Sequence, residues 1–155
     1  MAVQQIDQNK SGPQSSIHAA IVDDDASLCK ALSRLLTAAG IASTIYTSAE
    51  AFLTDGLIRE PDCLILDIQL GGMSGVELQR SLAATHRDIP IIFITAHDQP
   101  EVREEALRGG CLAYLRKNDP GNVLLAAVRS TLDTKTVIQN RPGVTPGVTP
   151  VGITF

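Results

Sequence analysis

The stretch 62-DCLILDIQLGGMSG-75 decides how the rest of the chain is read. Its apolar run, Cys63–Leu66, has the length of a buried strand rather than a helix. The run ends on Asp67 and passes into Gly71, Gly72 and Gly75. Desolvating an unpaired carboxylate at the mouth of a core is costly, so Asp67 either caps something locally or meets other charges and a ligand.

Outward from this stretch, apolar runs alternate with helical patterns. Strands are expected at Ile17–Val22, Ala42–Tyr46, Cys63–Leu66, Pro90–Thr95 and Leu112–Leu115. Leu28, Ala31, Leu32, Leu35 and Ala39 predict one buried helical face, and Gly40 stands where that helix should end. Ser48 is expected to cap a second helix. Three more are predicted from about Ser74 to Ala84, Pro100 to Arg108 and Pro120 to Leu132. The last would bury Val123, Leu124, Ala127, Val128 and Thr131. Five βα units in about 115 residues predict an α/β fold, a doubly wound five-stranded parallel sheet with five helices. Residues 1–16 read as a flexible polar leader and 17–134 as the domain. Residues 135–155, with Pro142, Pro146 and Pro150 in a Pro-Gly-Val-Thr repeat, read as an extended tail.

Composition bounds the function. With 155 residues, 44% hydrophobic and 19% charged, the chain holds one domain with a real core. Its net charge of −4 argues against generic binding to a nucleic-acid backbone, so no direct nucleic-acid contact is expected. No apolar run approaches the roughly 20 residues of a membrane span, and no membrane contact is expected. The start, MAVQQIDQNKSGPQSS, lacks the apolar centre of a signal peptide. Cys29, Cys63 and Cys111 have no metal-type spacing and read as small buried hydrophobes in a reducing cytoplasm.

In such a sheet, ligands bind beyond the carboxyl ends of the strands. The first strand ends in Asp23, Asp24 and Asp25, the third in Asp67 and the fourth in Thr95, while the fifth leads into Lys117. Asp25 alone would be a helix cap and Lys117 alone a solvated lysine. Together, clustered carboxylates suit Mg²⁺, and a hydroxyl and an ammonium group suit a phosphoryl oxygen. These are the requirements of phosphoryl transfer, with Asp67 as the nucleophile.

Ile17 to about Leu132 resembles the receiver domain of two-component response regulators, through IVDDD, LILDIQLGGMSGVEL, IPIIFITAHD and AYLRK. Asp67 lies 43 positions after Asp24, Thr95 another 28 on and Lys117 another 22. SAEAFL and ITAHD look most like NarL/FixJ-type receivers. The resemblance implies a flavodoxin-like topology and a phospho-acceptor with self-catalysed phosphoryl transfer and autodephosphorylation, not a turnover enzyme. It implies Mg²⁺ on Asp23, Asp24, Asp67 and the Gln69 backbone carbonyl, phosphorylation of Asp67, and a phosphate contact from Lys117. Thr95 and Tyr114 would form the switch, reshaping the face made by helix 4, strand 5 and helix 5. The implied partners are a histidine kinase or phosphotransfer protein, and a downstream protein or second copy at that face, around Ala106, Leu107 and Tyr114. The chain would be a stand-alone receiver.

Two residues depart from the family pattern. Asn118 follows Lys117 where proline is usual, often after a cis bond, so the loop is either strained or trans with Lys117 placed differently. Gly71 replaces a common proline and should loosen its loop. His18, His86 and His97 lack a phosphotransfer setting, which puts the donor histidine on another protein. Two alternatives stand beside this reading. One is a degenerate receiver that binds without phosphorylation. The other is a haloacid-dehalogenase-like phosphatase, disfavoured because Gln69 stands where its second aspartate belongs.

Overall fold

The computed structural model describes residues 17–139. Five strands, β1 (His18–Val22), β2 (Ala42–Tyr46), β3 (Cys63–Asp67), β4 (Ile91–Thr95) and β5 (Ala113–Arg116), form one parallel sheet in the order β2-β1-β3-β4-β5. Five helices connect and flank them: α1 (Ala26–Ala38), α2 (Ala49–Ala51, widening into a π turn over Phe52–Gly56), α3 (Gly75–Ala84), α4 (Pro100–Arg108) and α5 (Gly121–Gln139). The order reverses between β1 and β3, so the crevice beyond those two strands is the switch point where this topology binds ligands.

The period-two pleat divides the core into two layers. Ala20, Val22, Leu64, Leu66, Ile91 and Phe93 pack with Phe52, Leu78, Leu82 and Ala106, on the side of α2, α3 and α4. Ala19, Ile21, Cys63, Ile65, Ile92 and Ile94 pack with Cys29, Leu36, Leu124 and Val128 of α1 and α5. Burial on both faces explains why β3 and β4 read as unbroken apolar runs.

Local signals set the helix ends. Gly40, at φ +80°, ends α1: its N–H donates to Thr37 O, and the Ile41 N–H donates to Leu36 O. Ser48 caps α2 by accepting from the Ala51 N–H. Ser74 and Glu77 form a reciprocal capping box at α3. Gly56 permits the π turn, since a Cβ there would lie 2.2 Å from the Phe52 ring.

Three expectations change. In α1, Leu32, Leu35 and Ala39 of the expected face pack on the core, but Ala31 is exposed and the fully buried residues are Leu36 and Cys29, which donates its thiol to Asp23 O beneath the end of β1. In α5, Leu124, Val128 and Thr131 are buried, but Val123 is 37% exposed. The same helix runs through Gln139, past its expected end at Leu132. The leader at residues 1–16 and the Pro-Gly-Val-Thr repeat lie outside the described residues. Among the described residues, no helix is long and apolar enough to cross a membrane.

Candidate functional site

Strand alternation sorts the polar groups at the sheet's carboxyl edge. Asp23, Asp67 and Lys117 continue the alternation that faces α1 and α5. Thr95 and Tyr114 belong to the opposite alternation, with Phe93, facing α4. The groups predicted to act at the site therefore converge as a charged trio on one face and a hydroxyl pair on the other.

In the trio, Lys117 Nζ lies 3.0 Å from Asp23 Oδ2 and 3.2 Å from Asp67 Oδ2. Both carboxylates are buried, and their remaining oxygens accept main-chain N–H groups. Asp23 Oδ1 accepts from Asp25 at 2.9 Å, and Asp67 Oδ1 from Gln69 at 3.2 Å. Asp24 is exposed and completes the cluster: one carboxylate oxygen from each of Asp23, Asp24 and Asp67 lies within 4.8 Å of the others. Asp25 does something separate, capping α1 through the Leu28 N–H at 3.1 Å. The local-cap reading holds for that residue of the Asp23–Asp25 run.

Three carboxylates around one ammonium group leave excess negative charge in a half-closed site. Burial first, and the charge of Asp23 second, push the Asp67 carboxyl up to about 6 against the opposing pull of Lys117 and the Gln69 N–H. Burial lowers the Lys117 ammonium, but hydrogen bonds and charge from Asp23 and Asp67 outweigh it and hold the group above its usual range. Hard oxygen donors with uncompensated charge fit a divalent cation such as Mg²⁺.

Lys117 reaches its partners without a following proline. Every peptide bond among the described residues is trans, that between Lys117 and Asn118 included. A turn holds the loop instead: Asp119 N–H donates to Arg116 O at 3.1 Å, and Arg116 N–H to Asp119 Oδ2 at 2.9 Å. Lys117 N–H donates to Thr95 O at 2.8 Å, which fixes the lysine beside β4. The loop is trans, and the lysine is nonetheless in place.

In the loop after Asp67, Gly71 has open space around it. Gly72 takes φ +85°, and Gly75 makes the close approach, since a Cβ there would lie 2.3 Å from Asp67 O.

Of the hydroxyl pair, Thr95 is engaged away from Asp67. Thr95 Oγ1 donates to His97 O at 2.9 Å and accepts from His97 N at 3.1 Å. The Tyr114 hydroxyl is buried and meets no partner in hydrogen-bonding geometry. Burial and the charge of Asp98 raise its pKa, although the nearby Thr95 hydroxyl pulls the other way. Arg103 lies over the Tyr114 ring at 5.7 Å, and Asp98 Oδ2 bridges Arg116 at 3.1 Å and Arg103 at 3.7 Å.

Residues 19–129 match the family model described as the response regulator receiver domain. The chain belongs to the response regulator receiver family. The receiver is 38% identical over 112 residues to the response regulator protein TmoT of Ectopseudomonas mendocina, covering 72% of this chain and 51% of that one. Over the same length it is 34% identical to the transcriptional regulatory protein FixJ of Azorhizobium caulinodans, covering 72% and 53%. The chain thus spans about half the length of the curated relatives it matches. Among solved structures, the FixJ-N crystal structure is similar with a TM-score of 0.72 and 32% identity, covering 77% of this chain and 96% of that one. A receiver protein from Burkholderia phymatum has a TM-score of 0.68 and 44% identity, covering 76% and 96%. These likenesses agree with the NarL/FixJ subtype, and membership sets the phosphatase reading aside.

Sequence reasoning passed over two residues that shape the receiver's site, Glu50 and Asp98, and did not single out Gly75 among the glycines after Asp67. Gly75 was recoverable from the Ser74-to-Glu77 capping pattern, which places it at the first helical position against β3. Asp98 and Glu50 act through tertiary contacts that leave no local pattern.

Proposed function

We propose that Asp67 accepts a phosphoryl group from a histidine kinase or phosphotransfer protein. The observation that carries this reading is Lys117 Nζ shared between buried Asp23 and Asp67, with Asp24 beside them. An Asp67 oxygen forms the new P–O bond as the donor's P–N bond breaks, and the leaving imidazole takes a proton from solvent. Asp23, Asp24, Asp67 and the Gln69 carbonyl would hold Mg²⁺, which would neutralise phosphoryl charge. Lys117 moves from pairing with Asp67 to pairing with a phosphoryl oxygen. Thr95 exchanges its bond to His97 O for a phosphoryl oxygen, and Tyr114 follows into the space released. Water attack on phosphorus later breaks that P–O bond, releasing inorganic phosphate and regenerating the Asp67 carboxylate.

The output is a protein contact at the face of α4, β5 and α5, with a downstream partner or a second copy, in the cytoplasm. Leu107 is 50% exposed and Val123 37% exposed, and both are suited to such a contact. Ala106 is fully buried against the core, so it supports that face from below rather than lining it.

Phosphoramidate, a small phosphoryl–nitrogen donor, tests the chemistry. Mg²⁺-dependent phosphorylation of the wild type, lost in D67A and in EDTA, is expected. No modification with phosphoramidate, beryllofluoride or a cognate kinase would instead make the chain a phosphorylation-independent binding module.

A further inference from the structure

The loop that leaves Asp67 is pinned from a neighbouring helix. Glu50, in the first turn of α2, accepts the Met73 N–H on Oε2 at 2.9 Å. The same oxygen occupies the space beside Gly72, whose φ is +85° and where a Cβ would lie 2.9 Å away. Met73 packs on the core, and Gly75 N–H donates to Ile68 O at 3.0 Å. Glu50 and the Gly75 contact thus clamp the far side of a loop whose near side, Gln69, bonds Asp67.

We propose that Glu50 is a positioning residue for the metal and phosphoryl site, holding the Gln69–Gly72 backbone beside the carboxylate cluster, where the Gln69 N–H already bonds Asp67 Oδ1. This rests on the phospho-acceptor reading above. Glu50 touches none of the reacting atoms. It acts through Met73, restraining a segment in which Gly71 and Gly72 would otherwise leave the backbone free. The Met73 N–H, and then Glu50's own N–H, hold its carboxyl below the usual range, so it remains an ionised acceptor at neutral pH.

The test measures Mg²⁺ binding directly, by isothermal titration calorimetry without any phosphoryl donor, and the Mg²⁺ dependence of phosphorylation by phosphoramidate, in wild type, E50A, E50Q and V128A. V128A removes packing from fully buried Val128 in the other core layer, and reports what lost stability alone does. In E50A the half-saturating Mg²⁺ concentration should rise about tenfold, the size of effect expected when a group supporting metal ligands is removed. Its rate at saturating Mg²⁺ should stay within about twofold, because the reacting groups are intact. E50Q keeps an amide oxygen for Met73 and should recover most of the Mg²⁺ affinity, while V128A should leave the Mg²⁺ dependence unchanged. An unchanged Mg²⁺ requirement in E50A, or an equal shift in V128A, overturns the positioning role. A wild type that takes no phosphoryl group would instead overturn the acceptor reading itself.

Discussion

Asp67 is held in its charged state at a cost. Its carboxyl titrates near 6 in the fold and near 3.8 as an unperturbed group. The native state therefore binds the extra proton between those values, and stability contributed by this residue is lost as pH rises from about 4 to about 6. Metal-free D67N should be more stable than the wild type at pH 7.5 by about 1–2 kcal/mol, a figure reduced for solvent screening. The difference should vanish below about pH 4, as paired denaturation curves will show. K117A should act in the opposite direction, losing about 1–3 kcal/mol because Asp23 and Asp67 then face each other without a cation. Added Mg²⁺ should restore part of that loss, as thermal melts with and without the ion will show. Both residues were legible in the sequence as strand-end charges. That Lys117 serves Asp23 as well as Asp67 was not, since only the three-dimensional convergence of β1, β3 and β5 brings the pairs within reach.

The loop from β3 to α3 shows why glycines in one short stretch have unequal roles. G75A drives a Cβ into Asp67 O and should cost about 2–3 kcal/mol in urea denaturation. G71A meets open space and should stay within about 0.5 kcal/mol of the wild type. The sequence sets these glycines together after Asp67 but does not say which one makes a close approach, because that depends on the path of the loop over β3. Helix positions fared similarly. Gly40 and Ser48 acted where local chemistry required, whereas the burial of Cys29 in α1 follows a thiol contact to the end of β1 that helical spacing did not announce. Lys117 without its proline is a further case. A turn closed by Asp119 does for the loop what a rigid ring would do, and nothing local in Asn118 announced it.

At the scale of the whole molecule, alternation of short apolar runs with helical patterns was enough to predict a parallel sheet flanked on both faces, and its switch point located the site. The pleat added what the linear reading left out: acid, nucleophile and lysine share the α1/α5 side, while Thr95 and Tyr114 lie on the α4 side. The proposed chemistry at Asp67 and the proposed output at the α4 and β5 face would therefore be separated by the thickness of the sheet, with the Thr95 strand end joining them. The claim on which this depends is that Asp67 carries the phosphoryl group. The receiver should be phosphorylated with acetyl phosphate and Mg²⁺, reduced with borohydride, and sequenced by tandem mass spectrometry. The account predicts a gain of about 80 Da before reduction and homoserine at position 67 after it. Homoserine at another position, or equal labelling of D67N, would contradict the account.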